Sequence, residues 1–174
     1  MARTGIAAIG SSAAALLCFW SNDAAATGYG DANVWMPVGL STGYAFHTQG
    51  ENGALIGAEL SVVHLGDRYV WFGGYADFVA DRGSDRARLS IGPEIGWKYF
   101  GIDGGFVLET GDRLRPGVAL RPLLSAGFAT LGLRGVKTFG DGGATLFELG
   151  FLLKIPIPIA VVDDSAPEPE KEPR

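Results

Sequence analysis

The sequence predicts an all-β fold, an antiparallel up-and-down transmembrane β-barrel of about eight strands, and three observations carry that expectation. Segments such as "LSIGPEIGWKYF" (residues 89–100) alternate: Leu89, Ile91, Ile95, Trp97 and Tyr99 share one parity, and Ser90, Gly92, Glu94, Gly96 and Lys98 share the other. Successive side chains of a strand point to opposite faces, so one face is apolar and the other combines glycine with charge. This period of two recurs along the chain, broken by turn residues at intervals that suit about eight strands. The composition, 47% hydrophobic and 19% charged with 27 glycines in 174 residues, is that of neither a disordered chain nor a typical water-exposed surface.

The length suffices for one domain with a sizeable core. A net charge of −5 offers no basic footprint for nucleic acid. Residues 1–26 read as a signal peptide: Arg3 gives a positive start, "IAAIGSSAAALLCFW" an apolar stretch, and Ala24-Ala25-Ala26 a small-residue cleavage site before Thr27. The single cysteine, Cys18, falls inside that stretch, so the mature chain is expected to carry no thiol chemistry and no disulfide. Leu17 before it is bulky where a lipid-attachment signal wants a small residue. Beyond the signal, no segment offers the roughly 20 apolar residues of a transmembrane helix.

Residues 27–160 are expected to form the barrel, with strands at residues 35–47, 54–64, 69–80, 86–99, 102–109, 115–124, 130–139 and 144–155. These lengths are close to or above the roughly 9 to 11 residues that a tilted strand needs to cross a bilayer. The polar connections "TQGENG", "DRGSD", "TGDR" and "GDGG" become outer loops, and "LGDR", "FG" and "SAGF" inner turns. Pro93 and Pro122 fall inside strands of a sheet without edges, where a missing N–H is expected to force bulges. Residues 161–174, which include "DDSAPEPEKEPR", read as a disordered, acidic, Pro-rich periplasmic tail.

Parity assigns the two faces. One carries Leu40, Ile56, Phe72, Ile91, Phe106, Leu120, Leu133 and Leu149 among many bulky apolar residues. The other carries glycines together with Glu59, Asp77, Arg88, Glu94, Lys98, Asp103, Glu109, Arg115, Arg121, Arg134, Glu148 and Lys154. An eight-stranded interior is only just wide enough for its side chains, so the bulky apolar set would overfill it. Turned outward, that set meets lipid, and the glycines leave room inside for long charged side chains. Aromatic residues gather at two rims: Trp35, Tyr69, Trp97, Tyr99 and Phe128 at the inner one, and Phe46, Phe78 and Phe139 at the outer one.

With its signal sequence and paired alternating strands such as "RLSIGPEIGWKYFGIDGGFVLE", the chain resembles the small eight-stranded outer-membrane barrels of Gram-negative bacteria, the kind that includes the OmpA membrane domain and OmpX. The resemblance covers residues 34–158 and is architectural. It implies outer-membrane lipid and the barrel-assembly machinery as partners, and a monomer. Such barrels commonly end at an aromatic residue used in assembly; here Phe147 and Phe151 lie in the last strand and the chain continues to Arg174.

The lumen charges are open to three readings: a hydrogen-bonded network that fills the barrel, a narrow ion pathway, or acid–base chemistry. His47 and His64 sit at opposite ends of their strands, which does not make a metal site, and are expected to be polar residues at the rims. Ser41 and Ser90 share the lumen parity but belong to no nucleophile motif, and the glycine clusters lack the Lys-Ser/Thr of a phosphate loop. No catalytic constellation and no cofactor is expected. The sequence thus reads as a cell outer-membrane barrel with a largely closed, charge-paired lumen and a structural or interaction role. A narrow porin-like channel, and a soluble periplasmic lipocalin-like lipid-binding barrel, are the competing readings.

Overall fold

The computed structural model describes residues 33–111 and 113–160; the expected signal peptide of residues 1–26 and tail of residues 161–174 lie outside the described residues. Eight strands follow in order: β1 (Val34–His47), β2 (Gly53–Leu65), β3 (Val70–Asp81), β4 (Arg86–Trp97), β5 (Phe100–Thr110), β6 (Arg115–Ala126), β7 (Ala129–Thr138) and β8 (Thr145–Ala160). Each pairs antiparallel with its sequence neighbour, and β8 returns to β1 to close the barrel. Closure leaves no strand pair without a ladder, the condition for a sheet that has no water to satisfy its backbone.

Two ends can be distinguished. At the loop end lie residues 48–52, 82–85, 111, 113, 114 and 139–144; at the turn end lie a single 3-10 turn (Asp67–Tyr69) and two-residue connections at 98–99 and 127–128. The turn after β4 corrects the sequence expectation, because the strand stops at Trp97 and the chain reverses at Lys98 and Tyr99, ahead of "FG". Lys98 has a left-handed backbone (φ 52°), held by its N–H donating to the Tyr69 carbonyl at 2.9 Å.

The expected bulges at Pro93 and Pro122 do not form. The β3–β4 ladder runs unbroken through Pro93, whereas the β4–β5 ladder omits residues 92 and 93 and resumes in the same register. Pro122 likewise keeps its pairing with β5 and interrupts the ladder with β7. A strand residue directs its N–H to one neighbour only, so a proline costs a local gap on that side and the register survives. The register shift among the described residues lies between Val34 and Trp35, where β1 meets β8.

β8 is the longest strand, and past Leu153 it pairs with β1 alone. The Lys154 N–H still reaches the Phe128 carbonyl at 2.7 Å, so residues of even number direct their N–H groups toward the unpaired side. The next two even positions are Pro156 and Pro158, which have none to offer. Proline thereby blunts the exposed stretch of edge against pairing with another strand.

Candidate functional site

Alternation along every strand drives two different surfaces. Outward positions such as Leu40, Phe106 and Ile155 are exposed to 73%, 76% and 72%. Inward positions include Glu59, Asp77, Asp81, Arg88, Glu94, Asp103, Glu109, Arg134 and Glu148, all buried, mixed with small apolar clusters such as Val107, Ala119, Val136 and Leu146. A soluble lipid-binding barrel needs the opposite facing.

Near the loop end the charges converge on Arg88. Its guanidinium donates to Asp81 Oδ2 at 3.2 Å and to Glu148 Oε1 at 2.5 Å, and lies 3.7 Å from Glu109 Oε2. A planar fork of five donors lets one arginine hold carboxylates from β3, β5 and β8 together. Glu109 Oε1 also accepts from Arg86 at 3.0 Å and Arg115 at 3.2 Å. Asp81 is held further by the His47 ring, whose Nε2 lies 2.7 Å from Oδ2, and by the N–H groups of Gly83 and Ser84 on Oδ1. In the middle, Arg134 donates to Asp77 Oδ2 at 2.8 Å and to the Ser90 hydroxyl at 2.5 Å.

Near the turn end, Arg121 bridges Glu59 at 2.7 Å and Asp103 at 2.6 Å, with its guanidinium 5.3 Å above the centre of the Tyr75 ring. Lys154 lies 2.5 Å from the other Glu59 oxygen and donates to the Ser61 hydroxyl at 3.1 Å. The backbone makes these bonds possible. Gly39 pairs with Glu59 on one side and Lys154 on the other, and a Cβ there would meet the Leu153 carbonyl oxygen and crowd the Lys154 stem at 3.0 Å. Gly132 serves the same purpose for Arg121, whose Cδ would be 3.0 Å from an added Cβ.

Trp71 covers part of the turn-end mouth. It pairs with Gly96, which pairs in turn with Gly101, and an added Cβ on either glycine would run into the indole ring. One cavity in the lumen, of about 40 Å³, is lined by Ser41, Asp77, Arg121, Thr130, Arg134 and Glu148, among others, room for about three water molecules.

Of the charged residues that parity assigned to the lumen, Glu59, Asp77, Arg88, Glu94, Asp103, Glu109, Arg115, Arg121, Arg134, Glu148 and Lys154 lie inside. Lys98 does not: it sits in the turn after β4, its Nζ 4.9 Å from the centre of the Trp97 ring and 5.3 Å from that of Tyr69. The strand ends one residue before Lys98, so parity has no meaning there. Asp81, Arg86 and Trp71 share the parity of Asp77, Arg88 and Gly73 and also face inward; Asp81 lies one residue past the expected end of its strand, whereas Arg86 and Trp71 lie inside expected strands and carry no further signal in the sequence. His47, expected to be a residue of the rim, has its ring buried against Asp81. Phe46, Phe78 and Phe139 are exposed at the loop end, and Tyr69, Trp97, Tyr99 and Phe128 at the turn end; Trp35 is partly buried.

No family model matches the chain, and no curated protein matches it. Among solved structures it is similar to the crystal structure of Neisserial surface protein A, at 10% identity and a TM-score of 0.47, over 74% of this chain and 98% of that one. It is also similar to the Yersinia pestis outer membrane protein Ail in a phospholipid bilayer nanodisc, at 12% identity and a TM-score of 0.38, over 68% of this chain and 99% of that one. At such identities the likeness concerns the fold alone.

Proposed function

We propose that the chain is an integral outer-membrane β-barrel, placed there as a monomer by the barrel-assembly machinery, with a lumen closed by ion pairs and a structural or interaction role. The observation that carries this reading is the inversion of its surfaces: bulky apolar side chains outside, and ion-paired acids and bases inside a closed sheet. Water would leave that exterior without a partner, whereas hydrocarbon matches it, and a closed barrel is one of two folds that satisfy every backbone group there. The loop end then faces outward and the turn end faces the periplasm. Arg88, Arg121, Arg134 and Lys154 reach across the lumen to carboxylates on other strands, so a solute could pass only if these pairs separated.

The test is fractionation of cells expressing the full chain, then gel mobility of the membrane fraction with and without boiling, then conductance of the purified barrel in planar bilayers. The reading expects outer-membrane recovery, a compact form that shifts on boiling, and no steady conductance. Recovery in the soluble periplasm would overturn the membrane assignment, and steady ohmic conductance would replace the closed lumen by a narrow channel.

A further inference from the structure

The turn-end half of the lumen holds three buried carboxyls, Glu59, Glu94 and Asp103, but only two cations, Arg121 and Lys154. Glu59 takes both cations, one on each oxygen, and Asp103 takes Arg121 on Oδ2 alone. Glu94 forms no ion pair among the described residues, although its side chain is buried. It is also directly opposite Asp103: the two are Cα partners of the β4–β5 ladder and both face inward. Directly opposed residues on one face have Cβ atoms roughly 4.5 to 5.5 Å apart, and like charges so placed repel. Each of the pair keeps one buried oxygen, Glu94 Oε1 and Asp103 Oδ1, without a hydrogen-bond partner among the described residues.

The surroundings supply no further cation. On β3 the position opposite Glu94 is Gly73, with Trp71 and Tyr75 on either side at the same parity. From β2 it is faced by Glu59 and Ser61, and from β8 by Lys154, which is engaged with Glu59 and Ser61. From β6 Arg121 is spent on Glu59 and Asp103, and from β7 Arg134 on Asp77 and Ser90. Two carboxylates in that position would leave one negative charge uncompensated beside another in a site of low dielectric, at a cost of several kcal/mol. One proton removes the excess charge and converts a buried acceptor without a partner into a donor.

We propose that Glu94 and Asp103 form a carboxyl–carboxylate pair that binds one proton at neutral pH, making the periplasmic half of the lumen a proton-binding site. The inference rests on the closed-lumen reading above. The proton belongs to Glu94, since Asp103 is already committed to Arg121. Asp103 Oδ1 accepts the hydrogen bond.

Infrared spectroscopy of the folded barrel in lipid tests this, because a protonated carboxyl has a C=O stretch well separated from that of carboxylates. Heat-dependent gel mobility establishes separately that the sample is a folded barrel, so failure of the barrel reading and failure of this one are distinguishable. The expected result is one such band at neutral pH that moves to lower frequency when glutamate carboxyls carry carbon-13, needing no mutation. It should vanish in Glu94→Gln, which keeps a donor toward Asp103, and vanish also in Asp103→Asn, where the neighbouring negative charge that holds the proton on Glu94 is gone. Glu51→Gln, in a loop, should leave it in place. Absence of the band in wild type, or its survival in Glu94→Gln, overturns the proposal; survival in Asp103→Asn overturns the sharing and leaves Glu94 as a lone buried acid.

Discussion

In the loop-end half of the lumen three carboxylates, Asp81, Glu109 and Glu148, meet three arginines, Arg86, Arg88 and Arg115; in the turn-end half Glu59, Glu94 and Asp103 meet Arg121 and Lys154. Both halves occupy the same sheet and are built on the same alternation. They differ in how charge is closed out. Around Arg88 every acid has a cation and the network is pinned to the loop of residues 82–85 through Asp81, whereas around Arg121 one acid is left over and an indole ring covers part of the mouth. On the proposed closed-lumen reading, the difference teaches that a narrow lumen can be filled in two ways, by balanced pairing with backbone support or by partial pairing beside an aromatic ring.

The comparison is broken most severely by Arg88→Met. That change strips Asp81, Glu109 and Glu148 of a shared donor in a buried site and should cost on the order of 3 to 5 kcal/mol, read as a lower urea midpoint for unfolding in lipid. Arg121→Met should cost less, about 2 kcal/mol, because Glu59 keeps Lys154 and Asp103 is the carboxylate stranded. Equal losses would mean that the two halves are not organised differently.

Trp71→Ala sharpens the comparison, since it removes the cover and no charge. We expect a stability loss of about 1 to 2 kcal/mol, below that of a fully buried tryptophan, together with more frequent conductance openings in planar bilayers. Openings as rare as in wild type would show that Arg121 and Lys154 seal that end by themselves. The smallest effect belongs to Lys98→Gly: loss of the cation–π contacts is offset by relief of a left-handed backbone at a non-glycine residue, leaving a net change under about 0.5 kcal/mol.

Much of this was legible in the sequence, and for one physical reason. A period of two with no charge on one parity fixes which face a residue takes, so Glu59, Arg121 and Glu148 could be placed inside without knowing which strand they would touch. The same reasoning lost its grip at strand ends. The alternation runs on to Lys98, one residue past the end of β4, and gives no sign that β3 extends to Asp81, which binds Arg88 and His47. The partners themselves were not legible. That Lys154 crosses Gly39 to reach Glu59 depends on the β8–β1–β2 register, and closure between the first and last strands has no local signal. Pro93 and Pro122 misled for a related reason: whether a proline forces a bulge depends on which neighbour its missing N–H would have faced.

The most direct test of the account is a series of single cysteines at Phe147, Leu149, Phe151 and Leu153 on β8, spin-labelled in the folded barrel in lipid vesicles. Collision with oxygen dissolved in the hydrocarbon is compared with collision with a water-soluble nickel complex. The account predicts that oxygen dominates at all four sites, with the largest values near the middle of the strand. Dominance of the nickel complex at those positions would place water where the account places lipid and would contradict it.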